Sequence, residues 1–306
     1  MKIADLHCDT LCTLTDNMLE IDNKVSMVNL DNLSNMCLET FACFASYPDN
    51  PYQRVNNLLK TYHKMLETNP TFVPVLNKAD LAKPGLKTLL SVEEGGALMG
   101  DFTVLDEFYQ QGVRLITLTW NYKNEIASPN NVKENIPNLQ DGLTPFGVNL
   151  IKKMNELGIV IDISHLGDKG ALEVLNLSQK PVIASHSNAR SVCNHVRNLT
   201  DEMIKLIIQK KGFIGINFCK DFLTDKDEAL VSDIIKHIDY IKSLGGIDVV
   251  GFGSDFDGIS NDNIEMKDPS FFKAILAALY EHGYTEEETL KIAYKNAFDV
   301  LERILK

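Results

Sequence analysis

The feature that most restricts how this chain can fold is a repeated alternation: short apolar runs of strand length, each followed by an amphipathic stretch long enough to cross back over a sheet. Eight such runs can be read, at Lys2–His7, Phe41–Ser46, Thr88–Glu93, Arg114–Thr119, Ile159–Ser164, Pro181–Ser185, Phe213–Phe218 and Val249–Ser254. Helical patterns lie between them at Tyr52–Leu66, Val104–Gln111, Pro145–Leu157, Lys169–Leu177, Asp201–Lys210 and Leu230–Leu244. Eight βα units of this kind predict an α/β fold, a closed (β/α)8 TIM barrel. Two more helices, near Pro269–His282 and Thr285–Leu305, complete the outer layer; Thr285 and Glu288 form a capping box, and Pro145 after Thr144 suits a helix start. The longest irregular pieces are Leu11–Glu39 and Trp120–Leu143, and the second, rich in Asn, Pro and Lys, reads as a substrate-facing loop. No linker or further repeat breaks the pattern, so residues 1–306 read as a single barrel domain.

Composition narrows the partners. With 44% apolar and 24% charged residues the chain is an ordinary globular one, and no apolar stretch is long enough to cross a bilayer. A net charge of −12 argues against nucleic acid and anionic membrane, which leaves small molecules. The cysteines at positions 8, 12, 37, 43, 193 and 219 form no CxxC pair and no secretion signal is read at the N-terminus, so reduced thiols and a cytoplasmic location are expected.

Barrel active sites collect at the C-terminal ends of the strands. In an extended chain His7 and Asp9 share a face, a candidate half-site for a metal ion. Taken with period-two alternation, the inner faces read Leu89-Ser91-Glu93, Ile159-Ile161-Ile163-His165, Val182-Ala184-His186 and Val249-Gly251-Gly253-Asp255, each apolar or small until the rim. Three His, two Asp and one Glu exceed what one tetrahedral ion needs, and the nitrogen and oxygen donors suit two Zn²⁺ or similar divalent ions. A hydroxide bridging such a pair is a nucleophile at neutral pH; Glu93 is then expected to bridge the ions and Asp255 to act as general base and acid. Glu94 competes with Glu93 but points to the other strand face, and Asp257 competes with Asp255. Asp162 is expected to turn away from the axis toward a helix, His63, His237 and His282 to lie on helix surfaces, and His195 to be structural.

Asp5-x-His7-x-Asp9, Ser91-Val-Glu93, Leu115-Ile-Thr-Leu-Thr119, Gly142-Leu-Thr-Pro-Phe-Gly147, Asp162-Ile-Ser-His165, Ser185-His-Ser187, Arg197-Asn198 and Gly251-Phe-Gly-Ser-Asp-Phe-Asp-Gly258 together resemble the renal, or membrane, dipeptidases and their bacterial relatives, in order along the chain. The resemblance implies a metal-dependent amidohydrolase-type barrel holding two zinc ions and hydrolysing dipeptides, including those with a C-terminal D-residue. It implies His7, Asp9 and Glu93 on one zinc, Glu93, His165 and His186 on the other, Asp255 as the catalytic aspartate, and Arg197 on the substrate carboxylate, a role its planar donor fork suits. Members of that family are often homodimers, but no stretch here identifies an interface, and the sequence leaves the oligomeric state open.

Two positions depart from the mammalian pattern. Trp120 stands where a carbonyl-polarising His is found, and Asn121 or Asn124 is expected to replace that donor. Phe222 stands where a Tyr is found. The same metal barrel acting on another amide, a lactone or a phosphoester is the alternative reading.

Overall fold

The structure, a computed structural model, describes residues 2–45 and 50–306. Its sheet has nine parallel strands: β1 (Ile3–Cys8), β2 (Met36–Phe44), β3 (Phe72–Pro74), β4 (Leu86–Glu93), β5 (Val113–Thr117), β6 (Val160–Asp162), β7 (Ile183–Ala184), β8 (Phe213–Ile216) and β9 (Val250–Phe252). Neighbours run β2-β1-β9-β8-β7-β6-β5-β4-β3, and β2 also pairs with β4 from Leu38↔Lys87 to Phe44↔Glu93. That second pairing closes eight strands into a (β/α)8 barrel, with β3 added beside the first residues of β4.

All eight predicted strands are present, with shifted ends. β2 starts at Met36 rather than Phe41, because Glu39 and Thr40 interrupt the apolar run while lying buried inside the strand; predicted Ser46 lies outside the described residues. β3 was not expected, since three residues carry too little pattern to register. The stretch read as irregular from Leu11 holds a helix at Thr10–Asp16 and a 3-10 turn at Leu33–Asn35. Trp120–Leu143 contains no helix, as expected of a loop over the barrel mouth.

The outer helices start where their caps dictate. Thr144 Oγ1 accepts from Gly147 N with Pro145 at the first position, and the Thr285–Glu288 capping box is formed. The last helical segment passes through a π-turn at Lys291–Lys295 before Asn296–Ile304.

Two apolar layers hold the barrel. Ala4, Leu6, Leu38, Leu89, Leu115, Val160, Ile183 and Phe213, drawn from seven strands, fill its lower interior, and Ala297, Val300, Leu301 and Ile304 of the last helix plug the base. The alternate strand residues, among them Phe41, Val92, Ile116, Ile161, Ile214 and Val250, pack with helix residues such as Leu58, Leu105, Ile151 and Ile234. Each fully buried aliphatic side chain contributes about 1.5–3 kcal/mol relative to exposure. With its lower half filled by hydrocarbon, the barrel can bind only at its upper, C-terminal rim. Among the described residues no helix is long and apolar enough to cross a membrane.

Candidate metal centre

Six side chains that the sequence singles out meet at that rim. Glu93, the last residue of β4, stands between two groups: its Oε1 lies 3.2 Å from His165 Nε2 and 3.6 Å from His186 Nε2, and its Oε2 lies 3.3 Å from His7 Nε2. Asp9 Oδ2 and Asp255 Oδ1 complete the second group at 3.5 and 3.8 Å from His7 Nε2. Candidate ligand atoms of His7, Glu93 and His186, and of His7, Asp9 and Asp255, fall within 4.8 Å of one another.

The route by which the chain delivers them differs from simple alternation. The pairing of β1 with β2 slips between Asp5 and Cys8, which lets Leu6 stay in the inner apolar cluster while His7 beside it also faces the pocket. Val160 and Ile183 point inward, whereas Ile161, Ile163, Val182 and Ala184 pack outward against helices, the reverse of the expected phase for β6 and β7. His165 and His186 enter the pocket only because the chain leaves the pleat after Asp162 and Ala184, with a left-handed backbone at His165 (φ 69°). Asp255 is delivered in the same way (φ 67°).

Asp162 therefore faces the barrel interior, not a helix. It accepts four hydrogen bonds: from Ser164 N at 2.9 Å and Ser185 N at 2.8 Å on Oδ1, and from Thr117 Oγ1 at 2.6 Å and Ser185 Oγ at 2.5 Å on Oδ2. Ser185 Oγ also lies 2.8 Å from His186 Nδ1. A serine has one hydroxyl proton; since it goes to Asp162, Ser185 accepts from His186 Nδ1–H. His165 Nδ1 similarly meets Asn121 Oδ1 at 2.8 Å, an atom that can only accept. Both imidazoles thus carry their proton on Nδ1, and both Nε2 atoms carry lone pairs.

This arrangement tests whether the residues suit a metal. His165 Nε2 and His186 Nε2 are 3.0 Å apart with Glu93 Oε1 beside them, so three electron-rich atoms converge with no proton among them. On the other side, His7 Nδ1, His7 Nε2 and Asp9 Oδ1 are buried without a hydrogen-bond partner. Orphaned buried donors and acceptors are costly unless something pairs them, and divalent cations fit both groups. A side chain at Gly258 would also intrude here, since a Cβ would overlap Asp9 Oδ2 and Asp255 Oδ1.

Electrostatics divide the two groups. Burial pushes the His165 and His186 pKa values well below the ordinary imidazole range, with the charge of Arg197 adding to it. Burial acts the same way on His7, but Glu93 and Asp9 outweigh it and raise its pKa well above that range. Asp9 is raised to about 6 by burial and the charge of Glu93. Asp255 is raised to about 7, chiefly by burial; His7 opposes the shift and Asp9 and Glu93 add to it.

The remaining predicted residues are placed as follows. Arg197 is 4% exposed behind β7; its Nη atoms make only long contacts, 3.5 Å to Ser187 Oγ and 3.4 Å to His186 O, and its Nε has no partner. Phe222 faces its guanidinium at 5.3 Å. Asn121 meets His165 and is exposed at the mouth. Asn124 is engaged elsewhere: its Nδ2 donates to Glu94 Oε1 and Leu118 O, and its Oδ1 accepts from Ile126 N and Ala127 N. With both amide ends committed to the loop, it has no donor left for substrate, and that expectation is corrected. Glu94 turns away from the pocket and holds the same loop through Trp120 N at 2.6 Å. Asp257 holds Thr10 Oγ1 at 2.6 Å and Met27 N at 2.7 Å. His237, expected on a surface, is fully buried, accepting from Ala189 N and facing Leu223 O.

The supporting residues were the part not read from the sequence. Besides Asp162 and Ser185 they include Asp5, which accepts from Ser254 N at 2.8 Å and Ser254 Oγ at 2.5 Å, and Asn217, whose Nδ2 donates to Asp255 Oδ2 at 2.9 Å. Asp5 and Ser254 do lie within the recognisable motifs, but as residue types their task was not marked.

A parallel barrel with imidazoles and carboxylates gathered at its C-terminal rim defines a metal-dependent hydrolase. The comparisons agree and narrow it. The sequence matches the membrane dipeptidase family, peptidase family M19, over residues 1–306. An uncharacterized protein from the pqqA 5′ region of Klebsiella pneumoniae is 34% identical over 225 residues, covering 72% of this chain and 82% of that protein. Among solved structures, a metallopeptidase of family M19, dipeptidase AC, superposes with a TM-score of 0.93 at 25% identity, covering 100% of this chain and 99% of that one. A metallopeptidase from Rhodobacter sphaeroides, bound to a phosphinate mimic of the dipeptide L-Ala-D-Ala, shares the fold with a TM-score of 0.91 at 24% identity, covering 99% of both chains. The chain belongs to the membrane dipeptidase family and is a metal-dependent dipeptidase.

Proposed function

We propose that this barrel is a binuclear zinc dipeptidase, with His7, Asp9 and Glu93 holding one ion and Glu93, His165 and His186 the other. The observation that carries the reading is Glu93, whose two carboxylate oxygens face two separate sets of donors. A pair of zinc ions held there would polarise the scissile carbonyl and bring the pKa of water toward neutrality.

The protein's own residues supply the rest. Arg197, buried and short of partners, is suited to a bidentate grip on the substrate's terminal carboxylate. Arg197 reaches the backbone carbonyl of the ligand residue His186 at 3.4 Å, and a carboxylate required at a fixed place beside the cluster would limit substrates to dipeptides. Asp255 presents Oδ1 to the pocket while Asn217 holds Oδ2, which leaves one carboxylate oxygen placed to take the nucleophile's proton and pass it to the leaving amine. Acceptance of a C-terminal D-residue is supported by the ligand of the Rhodobacter sphaeroides structure. We assign the whole activity to one domain spanning residues 1–306, and six unpaired cysteines suit a reducing, cytoplasmic setting.

Elemental analysis should find about two zinc ions per chain, and a panel of dipeptides with L and D C-terminal residues should be hydrolysed in preference to esters and lactams. Asp255→Asn should keep the metal and lose turnover. Retention of most of the turnover would overturn the assigned proton carrier.

A further inference from the structure

On the far side of His165 from Arg197 stands a wall of three aromatic rings. Trp120 follows β5, and its ring lies 5.1 Å from Phe44 at the end of β2, 5.9 Å from Tyr122 and 6.1 Å from His165. All three aromatic residues are half-buried, so part of each ring remains open. The wall is also rigid: Trp120 N donates to Glu94 Oε2 at 2.6 Å and Tyr122 OH to Ala45 O at 2.7 Å.

Strand order sets the geometry. Around the closed barrel the sequence of strands is β1, β2, β4, β5, β6, β7, β8, β9. Arg197 lies in the loop after β7 against Phe222, which follows β8, while the aromatic wall rises from the ends of β5, a quarter turn from β7, and β2, half a turn from it. His165 and His186 lie between Trp120 and Arg197: the His165 ring is 6.1 Å from Trp120 and 5.0 Å from the His186 ring, and Arg197 reaches the His186 carbonyl at 3.4 Å. A dipeptide spans about 7 Å when extended. With its carboxylate at Arg197 and its scissile carbonyl at the cluster, its N-terminal residue extends toward Trp120.

We propose that Trp120, with Phe44 and Tyr122, forms the subsite for the side chain of the substrate's N-terminal residue, and that the enzyme takes dipeptides bearing a large apolar or aromatic residue there. This rests on the dipeptidase reading and on Arg197 as its carboxylate anchor. An aromatic face offers stacking and dispersion to a ring or a branched aliphatic chain and nothing comparable to a methyl group. An acidic N-terminal residue would find no cation among these three rings.

The test compares Phe-Ala with Ala-Ala, sharing one C-terminal residue, on the zinc-loaded enzyme and on Trp120→Leu and Trp120→Ala. Wild type should favour Phe-Ala in kcat/KM by roughly two- to tenfold, the size of one aromatic contact, and both variants should lose most of that ratio. Because the ratio is taken within one preparation, partial misfolding of a variant cancels. Equal kcat/KM for the two substrates in wild type, or an unchanged ratio in both variants, overturns the subsite. Failure to cleave either dipeptide with two ions bound would instead overturn the dipeptidase reading beneath it.

Discussion

Replacing Ser185 by Ala should separate the two proposed metal positions. In the folded protein Ser185 Oγ accepts from His186 Nδ1 at 2.8 Å and donates to Asp162 Oδ2 at 2.5 Å, in a place with no exposed surface. Alanine leaves the His186 N–H without an acceptor and Asp162 with three donors instead of four. An orphaned buried polar group costs about 1–3 kcal/mol. Loss of the hydrogen bond that orients a ligating imidazole weakens metal binding by about 10–100-fold, or about 1.4–2.7 kcal/mol. Zinc titration of chelator-stripped protein, followed by calorimetry or competition with a chromophoric chelator, should show one of two binding constants weakened by that factor and the other nearly unchanged. Ser185→Thr keeps the hydroxyl and should restore the weakened constant. The reasoning is refuted if Ser185→Ala binds both ions as wild type does, since His186 would then not depend on this hydroxyl. It is equally refuted if both constants fall together, which would mean a general loosening of the rim.

Gly258→Ala should do the opposite, pushing Asp9 and Asp255 aside and costing the ion on the His7 side, with circular dichroism unchanged and metal content near one per chain. Arg197→Met should raise KM for dipeptides far more than it changes metal content, because it removes the carboxylate grip and leaves the ligands in place. In the metal-free protein the raised pKa of Asp255, about 7 against 3.8, means that folding binds a proton there. Its contribution to stability is full below pH 3.8 and fades as pH rises through 7, so Asp255→Asn should melt higher than wild type at pH 8 and converge with it near pH 4. His165 and His186 run the other way: with folded pKa values below 6.5, they cost stability as pH falls below 6.5. A pH series of melting temperatures with His186→Gln should show a smaller acid loss than wild type.

The barrel was legible because its strands are dense in Val, Ile, Leu and Phe and its crossovers are amphipathic, a pattern that survives errors of a few residues at each end. Polar residues inside elements were what hid the rest. Glu39 made the first half of β2 read as loop, yet it is buried with neither carboxylate oxygen hydrogen-bonded, its pKa raised well above the ordinary range by burial. His237 sits on a helical pattern where a polar residue reads as solvent-facing, but it is turned inward to satisfy the backbone of loops after β7 and β8. In both cases the residue type suggested water and the surroundings supplied something else.

At the rim, identity was legible and support was not. His7, Asp9, Glu93, His165, His186 and Asp255 announce themselves by chemistry, and any scheme that places strand ends together gathers them. The phase argument, however, held for β4 and failed for β6 and β7, which are three and two residues long and end low in the barrel. Above such short strands the chain must turn over an opening that apolar side chains no longer fill, and the turns need anchoring. Two carboxylate–serine ties do it. Asp5 on β1 holds Ser254, the residue before Asp255, and Asp162 on β6 holds Ser185, the residue before His186. Each tie uses both carboxylate oxygens, one on the serine amide and one on its hydroxyl, so it fixes the direction in which the next side chain leaves the backbone. Aspartates two residues before His7 and three before His165 therefore do the same work at different spacings, which is why no fixed interval in the sequence marks them and only the closed barrel shows them to be equivalent.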